Sequence, residues 1–220
     1  MAFTDSLKSV VEPLWEATLD HPMIEGIGDG TLDEEPFRHW VRQDYVFLIE
    51  YSRVFALGAA RAPDIERMGR FATLLDETIN TEMDLHRSYA AEFDITESEL
   101  EVTEPTPTTQ AYTDFIVRAG YEGFGETVAV LLPCMWGFNV TAKRLAEQGK
   151  PDHEQYAQWI ETYAGEEFTT LTEWCKELMD DVASTADPDA LDTYRELFIT
   201  SSRYEYMFWD AAWEQEEWPV

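Results

Sequence analysis

Apolar residues recur along this chain at spacings of three and four, and nowhere do they alternate over a sustained stretch flanked by hairpin turns. That periodicity predicts an all-α fold. It places helices at about 3–19, 34–61, 64–93, 109–119, 124–148, 152–182 with a break near Gly165, and 188–216. The breakers agree with these bounds. Gly26, Gly28 and Gly30 read as a turn before the second helix, and Pro63, Pro105 with Pro107, Gly120 with Gly123, Gly149-Lys150-Pro151 and Asp187-Pro188 punctuate the rest. No linker composition and no internal repeat interrupts the pattern, so residues 1–220 read as a single domain.

The pattern is most informative where a polar residue occupies an apolar stripe. On the second helix Phe37, Trp40, Val41, Phe47, Leu48, Tyr51, Phe55 and Gly58 share one face, and Asp44 takes a position on it. On the last helix Leu197, Phe198, Ser201, Tyr204, Phe208, Trp209 and Ala212 share a face with Glu205. A carboxylate in such surroundings must be paired, hydrogen-bonded or functional, so partnering by Arg or Tyr is the structural alternative to a chemical role.

Cys134 lies in Leu131-Leu132-Pro133-Cys134-Met135-Trp136, the most apolar segment of the chain, where it could be a small core residue or a nucleophile. Cys175 extends the stripe Phe168, Leu171, Leu178, Val182 and belongs to the core. Glu82 and His86 are four apart, which suits either a helix-ordering pair or two ligands of a helical metal oxidase. A dinuclear centre would want a second histidine from a facing helix. His21 falls in a loop, His39 is turned about 140° from Asp44 by helical geometry, and His153 is near a helix start.

Composition narrows the partners. Against 45 Asp+Glu the chain sets 15 Lys+Arg, a formal charge of −30, spread along the whole length. Such a field repels a phosphate backbone and an anionic membrane surface. Lysine occurs only at Lys8, Lys143, Lys150 and Lys176, and this lysine-poor, acid-saturated surface resembles that of salt-in halophilic archaea. Two cysteines do not make a disulfide framework, Met1–Pro22 has no signal-peptide core, and the longest uncharged run, Thr127–Ala142, is shorter than the ~18 apolar residues of a membrane span. The expectation is a cytoplasmic protein.

Gly26-x-Gly28-x-Gly30 follows a helix and carries Asp29, so it is not a phosphate cradle, and Asn139-Val140-Thr141 is a chance glycosylation match inside the uncharged run.

Seven segments in order give a resemblance. His21-Pro22, Gly28-Asp29-Gly30-Thr31-Leu32, Gln43-Asp44-Tyr45, Glu82-x-x-x-His86, Pro133-Cys134-x-Trp136, Trp159-Ile160-x-x-Tyr163 and Glu205-Tyr206-Met207-Phe208-Trp209 together resemble the TenA family of thiaminase II proteins. The resemblance implies a haem-oxygenase-like helical bundle, a homotetramer, no cofactor, and a hydrolase of thiamin salvage. Its substrate would be aminomethyl-aminopyrimidine or thiamin, and its product hydroxymethylpyrimidine. It further implies that Asp44 holds the exocyclic amine and the neighbouring ring nitrogen, that Glu205 protonates the other ring nitrogen, and that Cys134 adds to the adjacent ring carbon. Phe47, Tyr51, Tyr112, Tyr163 and Phe208 match positions that wall the pyrimidine. Phe138 joins them where many members carry tyrosine. A flat aminopyrimidine suits aromatic walls with opposed carboxylates. Two other readings stay open: a metal-dependent oxidase or haem enzyme using Glu82, His86 or His21, and a non-catalytic pyrimidine-binding protein that would tolerate loss of Cys134.

Overall fold

A computed structural model describes residues 2–220, apart from the side chains of Thr81, Glu82 and Leu85. Among the described residues all regular structure is helical. In chain order the helices are α1 (Phe3–Leu19), α2 (Pro22–Asp29), α3 (Glu34–Arg61), α4 (Ile65–Glu77), α5 (Met83–Glu92), α6 (Glu97–Glu101), α7 (Pro107–Glu122), α8 (Phe124–Gln148), α9 (Glu154–Ala164), α10 (Glu166–Ser184) and α11 (Pro188–Trp213). The expected helices are present, with the break at Gly165 between α9 and α10.

Three features differ from the expectation. The glycines at 26–30 are not a turn, because Gly26 and Gly28 lie inside α2 and Gly30 ends it in the left-handed region at φ 79°. Pro22 starts that helix, and the His21 ring accepts the Met23 N–H at 3.2 Å as its cap. Met23, Ile24 and Ile27, all 0% exposed, then outweigh the ~1 kcal/mol that each glycine costs a helix interior. The second feature is α6, which begins on a reciprocal cap: Thr96 Oγ1 accepts the Glu99 N–H while the Glu99 carboxylate accepts the Thr96 N–H. The third is a π turn at Thr78–Glu82 between α4 and α5, so the expected helix 64–93 changes register midway.

The chain groups into two compact units. The first holds residues up to Leu32 with Val128–Asp210. In it α1 packs on α2 and α10, and α9 packs on α2 and α10. Thr4 ties α1 to α10 by donating both N–H and Oγ1–H to Asp180 at 2.8 Å. The run Val128–Leu132 is buried, and α8 continues through Pro133. Ser201 Oγ of α11 donates to the Val130 carbonyl at 3.0 Å.

The second unit holds Asp33–Thr127 with Ala211–Val220. Here α3 packs on α4, α5, α6 and α7. Phe37, Trp40, Val41, Val54, Phe55, Phe71, Tyr112 and Ile116 form its core. Gln43 pins the loop before α7 by donating to the Glu104 carbonyl (3.1 Å) and accepting the Thr106 N–H (3.0 Å). The Glu216 carboxylate accepts both the N–H and the Oγ1–H of Thr108 at the start of α7, at 2.9 and 3.0 Å. No described helix is long and apolar enough to cross a membrane.

Candidate active site

In the second unit the Asp44 side chain is buried on α3, as its place on the stripe requires. One turn on, Phe47 stacks with Tyr51 (ring centroids 5.2 Å) and meets Tyr112 of α7 at 5.0 Å, and all three rings are buried. The spacing 44, 47, 51 on one helix face puts the carboxylate next to an aromatic wall. A buried carboxylate needs a partner, and it has one: His86 Nε2 of α5 lies 2.6 Å from Asp44 Oδ2. The neighbouring Tyr45 takes a separate partner, accepting from Arg87 at 3.1 Å, and that hydroxyl together with Asp84 and Glu97 raises the guanidinium's pKa.

In the first unit Cys134 is half-buried on α8, immediately after Pro133. One turn further along, Phe138 packs among Trp159 (5.8 Å), Tyr163 (5.0 Å) and Trp209 (5.2 Å). Asn139 fixes the α9–α10 corner that carries Tyr163. Its Nδ2 donates to the Tyr163 carbonyl at 2.8 Å and to Thr169 Oγ1 at 3.0 Å. On α11 Glu205 is half-buried and Phe208 is buried. Cys175 lies in the core at 2% exposure, where desolvation pushes its thiol up to about 12.

The structure thus brings Asp44, Phe47, Tyr51 and Tyr112 together in one unit, and Phe138 with Tyr163 in the other. Sequence reasoning missed the His86–Asp44 pair, since it set His86 against Glu82, whose side chain lies outside the described residues. It also missed Trp159 and Trp209 as the partners of Phe138, although both lie in segments that carry the resemblance. The histidines of the metal reading have other partners: His86 holds Asp44, while His21 caps α2 and approaches Asp210 at 3.4 Å. Among the described residues no three His, Cys, Asp or Glu side chains converge as a metal site.

Surface cavities lie elsewhere. One, of about 560 Å³, is lined by Trp15, Trp136, Lys8, Lys143, Arg144, Lys176 and several carboxylates, and another, of about 530 Å³, by Tyr45, Ile49, Ile79, Met83 and neighbours. Neither is lined by a residue that the resemblance assigns to the pyrimidine.

Comparison with known proteins decides the family. The model of the TENA/THI-4/PQQC family matches residues 8–215. The chain belongs to that family. A relative from Halalkalibacterium halodurans, named aminopyrimidine aminohydrolase, is 39% identical over 99% of this chain and 98% of its own length. Relatives of the same name from Bacillus subtilis and Helicobacter pylori are 36% and 35% identical, over 99% and 97% of this chain and 92% and 100% of their own. Among solved structures, a TenA homologue from P. horikoshii OT3 superposes with a TM-score of 0.91 at 27% identity, covering 97% of this chain and 99% of that one. A haem-oxygenase-like protein from Shewanella denitrificans superposes at 0.75 with 15% identity over 96% and 92%, which places the fold in that class.

Proposed function

We propose that the chain is an aminopyrimidine aminohydrolase of thiamin salvage, converting 4-amino-5-aminomethyl-2-methylpyrimidine, thiamin or both to 4-amino-5-hydroxymethyl-2-methylpyrimidine. The observation that carries this reading is Asp44, a buried carboxylate beside the Phe47–Tyr51–Tyr112 wall, in a chain alike over nearly its whole length to proteins of that name. A flat ring with an exocyclic amine offers stacking faces to the wall and an N–H donor to the acid.

Asp44 binds the exocyclic amine. Glu205 gives a proton to the ring nitrogen next to the carbon that Cys134 attacks as its thiolate, so a C–S bond forms without building up anionic charge on the ring. The dearomatised ring then pushes its electron pair outward and expels the methylene substituent with the C–N bonding pair, an already protonated amine leaving as ammonia and a thiazolium leaving as the neutral thiazole without taking a proton. Water adds to the exposed methylene and gives up a proton. The C–S bond breaks, the ring nitrogen returns its proton, and the aromatic product departs. Tyr163, Phe138 and Phe208 join Phe47, Tyr51 and Tyr112 in walling the ring. The family match across residues 8–215 supports one functional domain, the acidic, lysine-poor composition supports the surface of a salt-in halophile, the two lone cysteines support a cytoplasmic location, and the homotetramer is what the family resemblance implies.

The test is Cys134→Ser beside Cys175→Ser. A hydroxyl is a far poorer nucleophile near neutral pH, so Cys134→Ser binds product normally and loses at least a hundredfold in kcat, an estimate of order ~10²–10⁴. Cys175→Ser keeps turnover. Near-normal turnover in Cys134→Ser refutes the nucleophile, and the non-catalytic binding reading survives only if the wild type also lacks turnover on both substrates.

A further inference from the structure

The buried stripe of α4 runs Phe71, Leu74, Thr78, at the steps of three and four that an α-helix gives. An uninterrupted helix would next bring positions 82 and 85 to that face. The π turn at Thr78–Glu82 inserts a step of five instead, and among the described side chains the buried positions that follow are Met83, then Tyr89, Ala90 and Phe93. His86 falls on this displaced stripe, three residues after Met83. Tyr89 and Phe93 anchor α5 to α3 by ring contacts with Phe37 at 5.8 and 5.2 Å. The register shift is what aims His86 at α3.

The side chains of His86 and Asp44 are 12% and 8% exposed, so their 2.6 Å contact is shielded from water. A carboxylate turns freely about its Cβ–Cγ bond unless something holds one oxygen, because this torsion has broad, shallow wells. Nε2 of His86 holds Oδ2. We propose that His86, delivered by the π turn, is the positioning residue of Asp44: its Nε2–H anchors Oδ2 and so presents Oδ1 to the substrate's exocyclic amine. This inference rests on the aminopyrimidine reading and assigns a residue that contributes through Asp44 alone, without touching the ring.

The role fixes what substitution does. Asp44 grips the amine equally in substrate and product, so misdirecting it weakens binding more than it slows chemistry. His86→Leu removes the donor, and His86→Asn keeps an amide but is too short to reach Oδ2. His86→Gln places an amide N–H at about the reach of Nε2. In the purified full chain, His86→Leu and His86→Asn should raise KM and the Kd for 4-amino-5-hydroxymethyl-2-methylpyrimidine at least tenfold with kcat changed less than threefold, and His86→Gln should restore both to within threefold. In an Asp44→Ala background, His86→Leu should change Kd by less than twofold.

Calorimetry for Kd and steady-state kinetics for KM and kcat are read beside circular dichroism. If His86→Leu does not fold, the Asn and Gln pair decides alone, and equal Kd values for those two overturn the proposal. A His86→Leu effect of the same size with and without Asp44 overturns it too, leaving the function intact. If Asp44→Ala binds product as well as the wild type, the assignment of Asp44 to the amine fails, and the role of His86 falls with it.

Discussion

The two cysteines occupy opposite surroundings, and a thiol reagent should tell them apart. Attack on an aromatic disulfide reagent requires the thiolate. Burial lifts the Cys175 thiol from 9.0 to about 12, so at pH 8 its ionised fraction is on the order of 10⁻⁴, against ~0.1 for a thiol at 9.0. Ionisation alone therefore slows Cys175 by about a thousandfold, and its 2% exposure slows it further by denying access. Cys134, half-buried on α8, escapes that burial.

The native chain should release one equivalent of thionitrobenzoate quickly at pH 8 and the second only in denaturant. Cys134→Ser removes the fast equivalent and Cys175→Ser keeps it. Bound hydroxymethylpyrimidine slows it, and the singly labelled protein has lost turnover. The same raised thiol has a consequence for stability. Its folded value lies above its unfolded one, so its contribution is complete below about pH 9 and is lost as pH rises toward about 12, by on the order of 4 kcal/mol in all. Cys175→Ala should flatten that alkaline loss. Two equivalents released at similar rates from the folded protein, or a fast equivalent that survives Cys134→Ser, would refute the reasoning.

Gly58→Ala would place a Cβ 2.4 Å from Cδ1 and Cε1 of Phe71, a ring 1% exposed between Phe55 and Phe124. Overpacking of ~1–3 kcal/mol should outweigh the ~1 kcal/mol gained in helix propensity, and an unchanged or raised urea midpoint would count against that. With 45 acids against 15 cations, thermal unfolding should rise steeply from low to molar potassium chloride while light scattering in high salt reports a tetramer. A midpoint independent of salt removes the halophile reading, and a monomer at all usable concentrations removes the assembly.

The sequence by itself determined the helices whose stripes are long and regular. It also marked the two stripe positions where a carboxylate replaces an apolar residue, because a charge on a buried face is visible as a break in the period. The break at Gly165 and the core place of Cys175 were legible for the same reason. It misread the short α2, where a proline start, a histidine cap and three buried apolar side chains overrule the glycines. It had no means of reading the π turn, since no residue type marks the step from Thr78 to Met83. Residues four apart, such as Glu82 and His86, look like partners along one helix, and periodicity says nothing of what a facing helix offers. Only tertiary packing set His86 against Asp44, because desolvation makes a buried carboxylate take a donor from whichever helix brings one within reach. Likewise Phe138 could be placed on α8 from spacing, but its nest of Trp159, Tyr163 and Trp209 comes from two other helices, α9 and α11, whose approach is fixed by packing, not by local pattern.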